Sequence, residues 1–247
     1  MFFNITLSDI LIWLMSLPIA LLALSVHEAS HGLMAYKLGD QTARNFGRLT
    51  LNPIKHIDPI GFICMVIFRF GWAKPVPVNS RYFKKPRRDM ALTAAAGPIS
   101  NILLSIIFAA LLRFEIFLFK EFFINDLLNP GFGFNAFSIL TYMTFIGVML
   151  NIGLAIFNLI PIPPFDGSRI AYTFLPVNLY FKVMQYERFI MIGILALMFC
   201  TPIFDMAISP AIEGLSSLIM NIFGFSKFEN WFSLNIILSH VENSLIP

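Results

Sequence analysis

Long uncharged apolar runs alternate with shorter polar segments along this chain. The first run, residues 10–26, lies within a predicted helix over residues 8–38, which Gly39 terminates. Two later runs predict helices over residues 89–113 and 136–160. A helix of about 20 apolar residues crosses the hydrocarbon core of a bilayer, so each of the three is long enough to span a membrane.

The C-terminal third of the chain is less regular. Apolar residues at 187–204 and 206–225 predict further spans, although a proline and a glutamate interrupt the second. The tail, residues 226–247, mixes polar and apolar residues and is expected at the membrane surface. We therefore predict an all-α membrane protein, a polytopic helical bundle of about five to six transmembrane segments, whose integral membrane domain covers residues 1–225.

The stretch between the first two predicted spans, residues 40–89, is basic and rich in turn-forming residues. Ten of the seventeen Lys and Arg residues lie between Arg44 and Arg88, which marks this stretch as cytoplasmic. Within it, residues 59–68 are apolar but too few to span as a helix, and residues 74–79 are predicted to be extended. We expect a re-entrant or extended segment on the cytoplasmic side.

Composition narrows the class of protein. The chain is 57% hydrophobic and 13% charged, with a mean hydropathy of +0.77, which is too apolar for a soluble domain of this length. No long polar stretch is available for an appended soluble domain. The basic cluster lies between two spans, so it does not indicate a nucleic-acid partner. We expect a multi-pass protein of the cell membrane, with the lipid bilayer as its surroundings.

The sequence His27-Glu28-Ala29-Ser30-His31 lies near the cytoplasmic end of the first predicted span. Side chains at i and i+4 of a helix are about 40° apart, so the two histidines can bind one metal ion. Glu28 then lies beside the ion, where it can act on a bound water. Ionisable groups inside a membrane helix are costly, and they indicate function by default.

A catalytic zinc usually has a third protein ligand. A histidine six residues after the motif is excluded, because Lys37 stands there. On the cytoplasmic side the candidates are His56, Asp58 and Asp166. Asp166 is the best of them, because it ends a proline-rich run directly after the third predicted span, and such a turn can fold an aspartate back toward the helices.

Taken together, the motifs resemble those of the site-2 protease family, the intramembrane zinc metalloproteases. That family combines the H-E-x-x-H helix with a G-P-x-x-N element and a later N-x-x-P-x-P-x-x-D-G motif. Here these are His27–His31, Gly97–Asn101 and Asn158–Gly167, in the same order. The resemblance covers roughly residues 10–185, and it is strongest to the compact prokaryotic members without PDZ or CBS domains.

The resemblance implies that His27, His31 and Asp166 bind one Zn²⁺ ion and that Glu28 is the catalytic base. It also places Asn101 near the active site, in contact with the substrate or the developing oxyanion.

Two further residues belong to stretches typical of the family. Asn158 opens the last motif, with a structural or substrate-orienting role. His56 lies in a loop common in the compact members. It is a candidate substrate-binding or catalytic residue, although a single histidine in a loop more often has a structural role.

The implied activity is hydrolysis of a peptide bond in or near a transmembrane segment or signal-peptide remnant, as in regulated intramembrane proteolysis. Glu28 would take a proton from the attacking water and deliver one to the leaving amine. A helical substrate must unwind first, and the proline-rich turn and residues 59–73 are places where an extended substrate could pair. The oligomeric state is left open, a homo-oligomer included.

Other classes of protein fit the sequence less well. Metalloproteases of the CAAX-processing type use a glutamate as third ligand, and no glutamate occurs between Glu28 and Glu115. Di-iron membrane oxygenases need many histidines, and the chain has four. A metal transporter would distribute ionisable groups over several spans. A proteolytically silent relative would have no need to retain Glu28. The transporter and the silent relative remain the alternatives.

Overall fold

The computed structural model describes residues 7–68, 71–123, 130–200, 203–226 and 228–244. In these ranges the chain is helical, and its only β-type pairing is an isolated antiparallel bridge between Ile57 and Ala73. The predicted all-α class is confirmed. The α-helices of the described residues are α1 (Leu7–Lys37), α2 (Thr42–Asn45), α3 (Pro59–Phe68), α4 (Pro86–Leu118), α5 (Phe132–Asn158), α6 (Asp166–Tyr172), α7 (Val177–Cys200), α8 (Ile203–Ile222) and α9 (Phe228–Ser244).

Three helices of the described residues are long and apolar enough to cross a membrane. These candidate spans are Ile10–Lys37, Pro86–Phe122 and Phe132–Asn158, the second extended by a π-helical turn after α4. They correspond to the three core helices predicted from the sequence, with ends shifted by one to nine residues. The larger total of about five to six spans stays a prediction.

The chain forms two compact units. The first comprises the described residues of Met1–Leu21, Leu103–Asn151 and Gly214–Pro247, and the second those of Leu22–Ile102 and Ile152–Glu213. All the candidate site residues predicted from the sequence lie in the second unit. In the first unit the predicted surface tail contains α9, which has a buried face that includes Ile237 and Val241.

Close packing of α4 on α5 builds the core of the first unit. A Cβ atom at Gly147 would lie 2.8 Å from the ring of Phe108, so this glycine allows the two helices to approach. One turn before Gly147 and two turns after Phe108, Thr144 Oγ1 donates a hydrogen bond of 2.9 Å to Oε1 of the buried Glu115. A polar pair is tolerated in an apolar interface because it satisfies part of the hydrogen-bonding potential of each side chain.

The region between α1 and α4 combines a helix with an extended segment. Residues 59–68, predicted to be re-entrant or interfacial, form α3, while residues 71–79 contain no helix until the 3₁₀ turn Ser80–Tyr82 begins. The backbone hydrogen bonds of α3 are used within the helix, so residues 59–68 do not offer an extended edge to a substrate. The expectation that an extended substrate could pair with residues 59–73 is therefore wrong for residues 59–68.

Candidate metal centre

Two imidazoles face each other on one side of α1. His27 and His31 are four residues apart, and their Nε2 atoms lie 3.0 Å apart. The ring planes are nearly perpendicular, at 88°, and both side chains are buried. This is the arrangement that the spacing of the motif predicts, since i and i+4 side chains share a helix face.

Asp166 completes the group from the first position of α6. The preceding Phe165 is buried and stacks edge-on against Phe157 of α5, with ring centroids 4.3 Å apart. A Cβ atom at Gly167 would lie 2.2 Å from the Leu159 carbonyl oxygen, so the turn closes tightly only with glycine there. Asp166 Oδ2 consequently lies 3.0 Å from His27 Nε2 and 3.2 Å from His31 Nε2.

Each imidazole is fixed through its other nitrogen by α4. His27 Nδ1 donates to Asn101 Oδ1 at 2.6 Å, and His31 Nδ1 donates to the Thr93 carbonyl oxygen at 2.7 Å. Because both Nδ1 atoms carry protons, the neutral rings present their Nε2 lone pairs to one another and to Asp166. In these tautomers the three atoms at 3.0–3.2 Å are all acceptors, so a shared proton or a metal ion is needed between them.

Zn²⁺ fits this donor set. Tetrahedral zinc, with bonds of roughly 2.0–2.1 Å to nitrogen and oxygen, separates its ligand atoms by about 3.3 Å. The observed separations are 3.0–3.2 Å, and the three residues are the one group of potential metal ligands found among the described residues. Nδ1–H bonds to an amide and a carbonyl oxygen are typical of metal-binding histidines, because they fix the tautomer and orientation of the ring.

The charge of Asp166 is set by the same contacts. Burial raises the pKa of its carboxyl, but when protons bridge the three atoms, hydrogen bonds from both imidazoles outweigh burial and hold that pKa well below its usual range. The group is therefore ionised at neutral pH, as a carboxylate ligand must be.

Glu28 lies beside this group and contacts an unexpected partner. Its Oε2 accepts a hydrogen bond of 2.8 Å from the backbone N–H of Val76, in the extended segment. Val76 stands between Pro75 and Pro77, and a Cβ atom at Gly32, one turn after Glu28, would lie 3.2 Å from its side chain. The Pro-Val-Pro pattern predicts extended chain, but it does not identify what the lone N–H contacts.

Gly97 explains how α4 comes so close to the two histidines. A Cβ atom there would lie 2.5 Å from His31 Cε1 and Nε2 and 2.6 Å from His27 Cε1. Any larger residue would displace the imidazoles or separate the helices. The glycine of the G-P-x-x-N element thus makes room for the rings, while Asn101, one turn later, holds one of them.

The structure also locates the remaining predicted residues. Asn101 is fully buried against His27, and its Nδ2 faces the Ala23 carbonyl oxygen at 3.4 Å. Asn158 Nδ2 donates to the Leu154 carbonyl oxygen at 2.9 Å, within α5.

His56 is 2% exposed and donates from Nε2 to the Thr50 carbonyl oxygen at 2.7 Å. Asp58 Oδ1 accepts the Gly61 N–H at the start of α3. Neither His56 nor Asp58 belongs to the group of potential metal ligands found among the described residues.

Comparisons with known proteins point to one family. The sequence model described as Peptidase family M50 matches residues 133–200. The chain is 39% identical over 207 residues to YwhC of Bacillus subtilis, provisionally named a zinc metalloprotease, an alignment that covers 82% of this chain and 88% of that protein. It is also 31% identical over 153 residues to Rip2 of Mycobacterium tuberculosis, which carries the same provisional description, covering 60% of this chain and 52% of Rip2. No solved structure matches.

Proposed function

Because the chain belongs to peptidase family M50, the site-2 protease family of zinc metalloproteases, we propose that it cleaves a peptide bond in or near a transmembrane segment or signal-peptide remnant. The chain is a zinc metalloprotease and a multi-pass membrane protein. The observation that carries the proposal is the convergence of His27, His31 and Asp166 beside Glu28.

In the proposed mechanism His27 Nε2, His31 Nε2 and Asp166 Oδ2 hold the zinc ion. When bound, the ion lowers the pKa of a coordinated water toward about 7 and polarises the scissile carbonyl. The protein contributes ligands that are already oriented, because both rings are held by α4 and the aspartate by the tight turn before α6.

Glu28 moves the proton. Its Oε2 is engaged by the Val76 N–H, so Oε1 is the oxygen that accepts a proton from the attacking water. The water oxygen bonds to the carbonyl carbon, the C–N bond then breaks, and the proton passes from Glu28 to the leaving amine. The hydrogen bond from Val76 keeps the carboxylate in one orientation throughout.

For Asn101 we propose that the side chain orients His27 and does not contact the oxyanion. Its side chain is fully buried, and its oxygen is occupied by His27 Nδ1–H. A residue in that position is suited to orienting a metal ligand. For Asn158, whose amide bonds back to its own helix, we propose a structural role at the end of α5.

The substrate is expected to bind as an extended chain. Peptide bonds inside a helix are shielded, so a transmembrane substrate must unwind locally before water can attack it. Residues 74–78 form neither helix nor strand, Val76 contacts Glu28, and no hydrogen bond to the backbone of Val78 is found within the described residues. We propose that an unwound substrate pairs with this segment, since strand addition offers backbone hydrogen bonds independent of sequence.

We further propose that the site opens toward the cytoplasm, since the basic stretch around it follows the positive-inside rule. A cysteine replacing the exposed Lys84, in a protein with Cys64→Ser and Cys200→Ser, should react with an impermeant maleimide in inside-out vesicles and resist it in right-side-out vesicles. The reverse labelling pattern would contradict the orientation.

The activity is tested with purified protein and a model membrane-spanning peptide in vesicles. We expect cleavage that a zinc chelator abolishes and added zinc restores. Glu28→Gln should lower the rate by about 10³-fold or more, since a general base and its positioning are both lost. Glu121→Gln, at an exposed glutamate after α4, is the matched control and should cleave like the parent. Cleavage by Glu28→Gln at the parental rate would end the proposal.

A further inference from the structure

Arg48 is a buried cation with little to neutralise it. Its residue is 6% exposed, its Nε atom has no hydrogen-bond partner, and no ion pair among the described residues includes it. Among the described residues its side chain makes one hydrogen bond, from Nη2 to the Lys74 carbonyl oxygen, at 2.6 Å. Burying a guanidinium for a single backbone carbonyl is costly, so this contact needs an explanation.

The carbonyl that Arg48 binds lies two residues before the N–H that binds Glu28. Pro75 separates them, and its ring fixes φ near −65°, so only the ψ angle of Pro75 lets the Val76 N–H turn relative to the Lys74 carbonyl. Pro77 restricts Val76 to extended conformations. The contacts of Arg48 to Lys74 (2.6 Å) and of Val76 to Glu28 (2.8 Å) are therefore the two ends of one stiff link.

Other contacts of this segment act further from Glu28. The buried Asp40 accepts the Asn79 N–H on Oδ2 at 2.7 Å, and the Lys74 N–H donates to the His56 carbonyl oxygen at 2.7 Å. These contacts place the segment, but neither bonds the carbonyl that precedes Pro75. Arg48 supplies that contact from a side chain.

We infer that Arg48 is a positioning residue for Glu28, holding the Lys74 carbonyl so that the Val76 N–H stays on Glu28 Oε2. Within the described residues Arg48 has no hydrogen bond or ion pair with the proposed metal ligands, and it acts through the backbone of residues 74–76. The inference rests on the proposed role of Glu28 as the base. It predicts that loss of Arg48 slows the chemical step while zinc and substrate binding persist.

The test compares Arg48→Met with Arg48→Lys and Arg44→Met. Methionine retains much of the apolar stem but cannot donate, whereas lysine can donate one hydrogen bond to the Lys74 carbonyl. Arg44, exposed and bonded to Tyr36 Oη, is the matched control on the neighbouring turn. We expect Arg48→Met to lower kcat about tenfold, with KM within about twofold and zinc content unchanged. Arg48→Lys should recover most of the loss, and Arg44→Met should match the parent.

A double variant separates positioning from a general structural role. In the Glu28→Gln background the carboxylate is already gone, so adding Arg48→Met should leave the residual rate unchanged. A further drop in that rate, an unaltered kcat in Arg48→Met alone, or failure of Arg48→Lys to recover activity would each overturn the inference. If Arg48→Met does not fold, Pro75→Ala loosens the same link with Arg48 in place, and an unchanged kcat there would also overturn it.

These outcomes are distinguishable from failure of the proposed function. If Glu28→Gln cleaves as fast as the parent, Glu28 is not the base and the proposed mechanism fails. If Glu28→Gln is inactive while Arg48→Met retains the parental kcat, only the role of Arg48 is contradicted.

Discussion

His27 on α1 donates its Nδ1 proton to Asn101 Oδ1 on α4, over a distance of 2.6 Å. This bond leaves the Nε2 lone pair pointing at His31 and Asp166. It joins two residues 74 positions apart in sequence, and it couples a proposed metal ligand to the helix that packs against it. This hydrogen bond indicates a physical role for the asparagine of the G-P-x-x-N element, which is to orient the ring of His27.

Asn101→Ala should weaken zinc binding. The substitution leaves the Nδ1–H of His27 unpaired in a buried site and frees the ring to rotate, so zinc affinity should fall about 10–100-fold. Competition with a fluorescent chelator measures this. Asn101→Asp keeps an acceptor oxygen and is the control that should retain tighter binding than Asn101→Ala. Equal affinities of the parent and Asn101→Ala would contradict the assigned role.

Gly97→Ala should abolish zinc binding and activity although it adds one methyl group. That methyl carbon would lie 2.5 Å from Cε1 and Nε2 of His31, which is much closer than two non-bonded atoms can approach. The matched control is Gly153→Ala on α5, where nothing lies within 4 Å of the new Cβ atom. The control should retain zinc and, because alanine favours a helix over glycine, unfold at the same or a higher temperature. A fully active Gly97→Ala enzyme would show that α4 does not approach the rings as described.

Removing zinc should lower the melting temperature of the parent protein. The ion binds the folded state, and its loss leaves three acceptors 3.0–3.2 Å apart in a buried site. Asp166→Ala should bind less than one zinc per chain by elemental analysis, and a chelator should hardly change its melting temperature. A chelator-induced shift of parental size in Asp166→Ala would exclude this aspartate as a ligand.

His56→Gln should alter stability and leave the metal centre intact. The imidazole is buried and bonds the Thr50 carbonyl oxygen, and it does not belong to the group formed by His27, His31 and Asp166. We expect a loss of about 1–2 kcal/mol in the free energy of unfolding, from imperfect replacement of a buried hydrogen bond. Zinc content should stay at the parental value. A variant that folds normally and lacks zinc would return His56 to the candidates for a ligand.

The features that the sequence predicts well are local ones. The apolar runs predict the three long helices, and the i, i+4 spacing predicts that His27 and His31 face the same side, because both depend on helix periodicity alone. The ten-residue apolar stretch is found as α3, bounded by Pro59 and Phe68. Asp166 was reached by spacing, topology and resemblance combined, and the structure brings it to the histidines.

The features that sequence reasoning missed depend on packing between distant segments. The Val76 N–H reaches Glu28 across 48 positions and the Thr93 carbonyl reaches His31 across 62. Almost every residue has a backbone N–H and a carbonyl, so residue type does not show which of them makes such a contact. Neither contact can therefore be recognised in the sequence. Asn101 is recognisable in the sequence as a polar group in need of a partner, but that partner, the Nδ1–H of His27, appears only in three dimensions.

The attachment of both imidazoles to α4 means that their rotamers are selected when the helices pack, before an ion arrives. The conformational entropy of the two side chains is lost during folding, so little of it is lost again when zinc enters. In a centre assembled in this way the two imidazoles can keep their conformations when the ion leaves or enters. The ligand geometry offered to the ion then depends on how α1 and α4 keep their spacing.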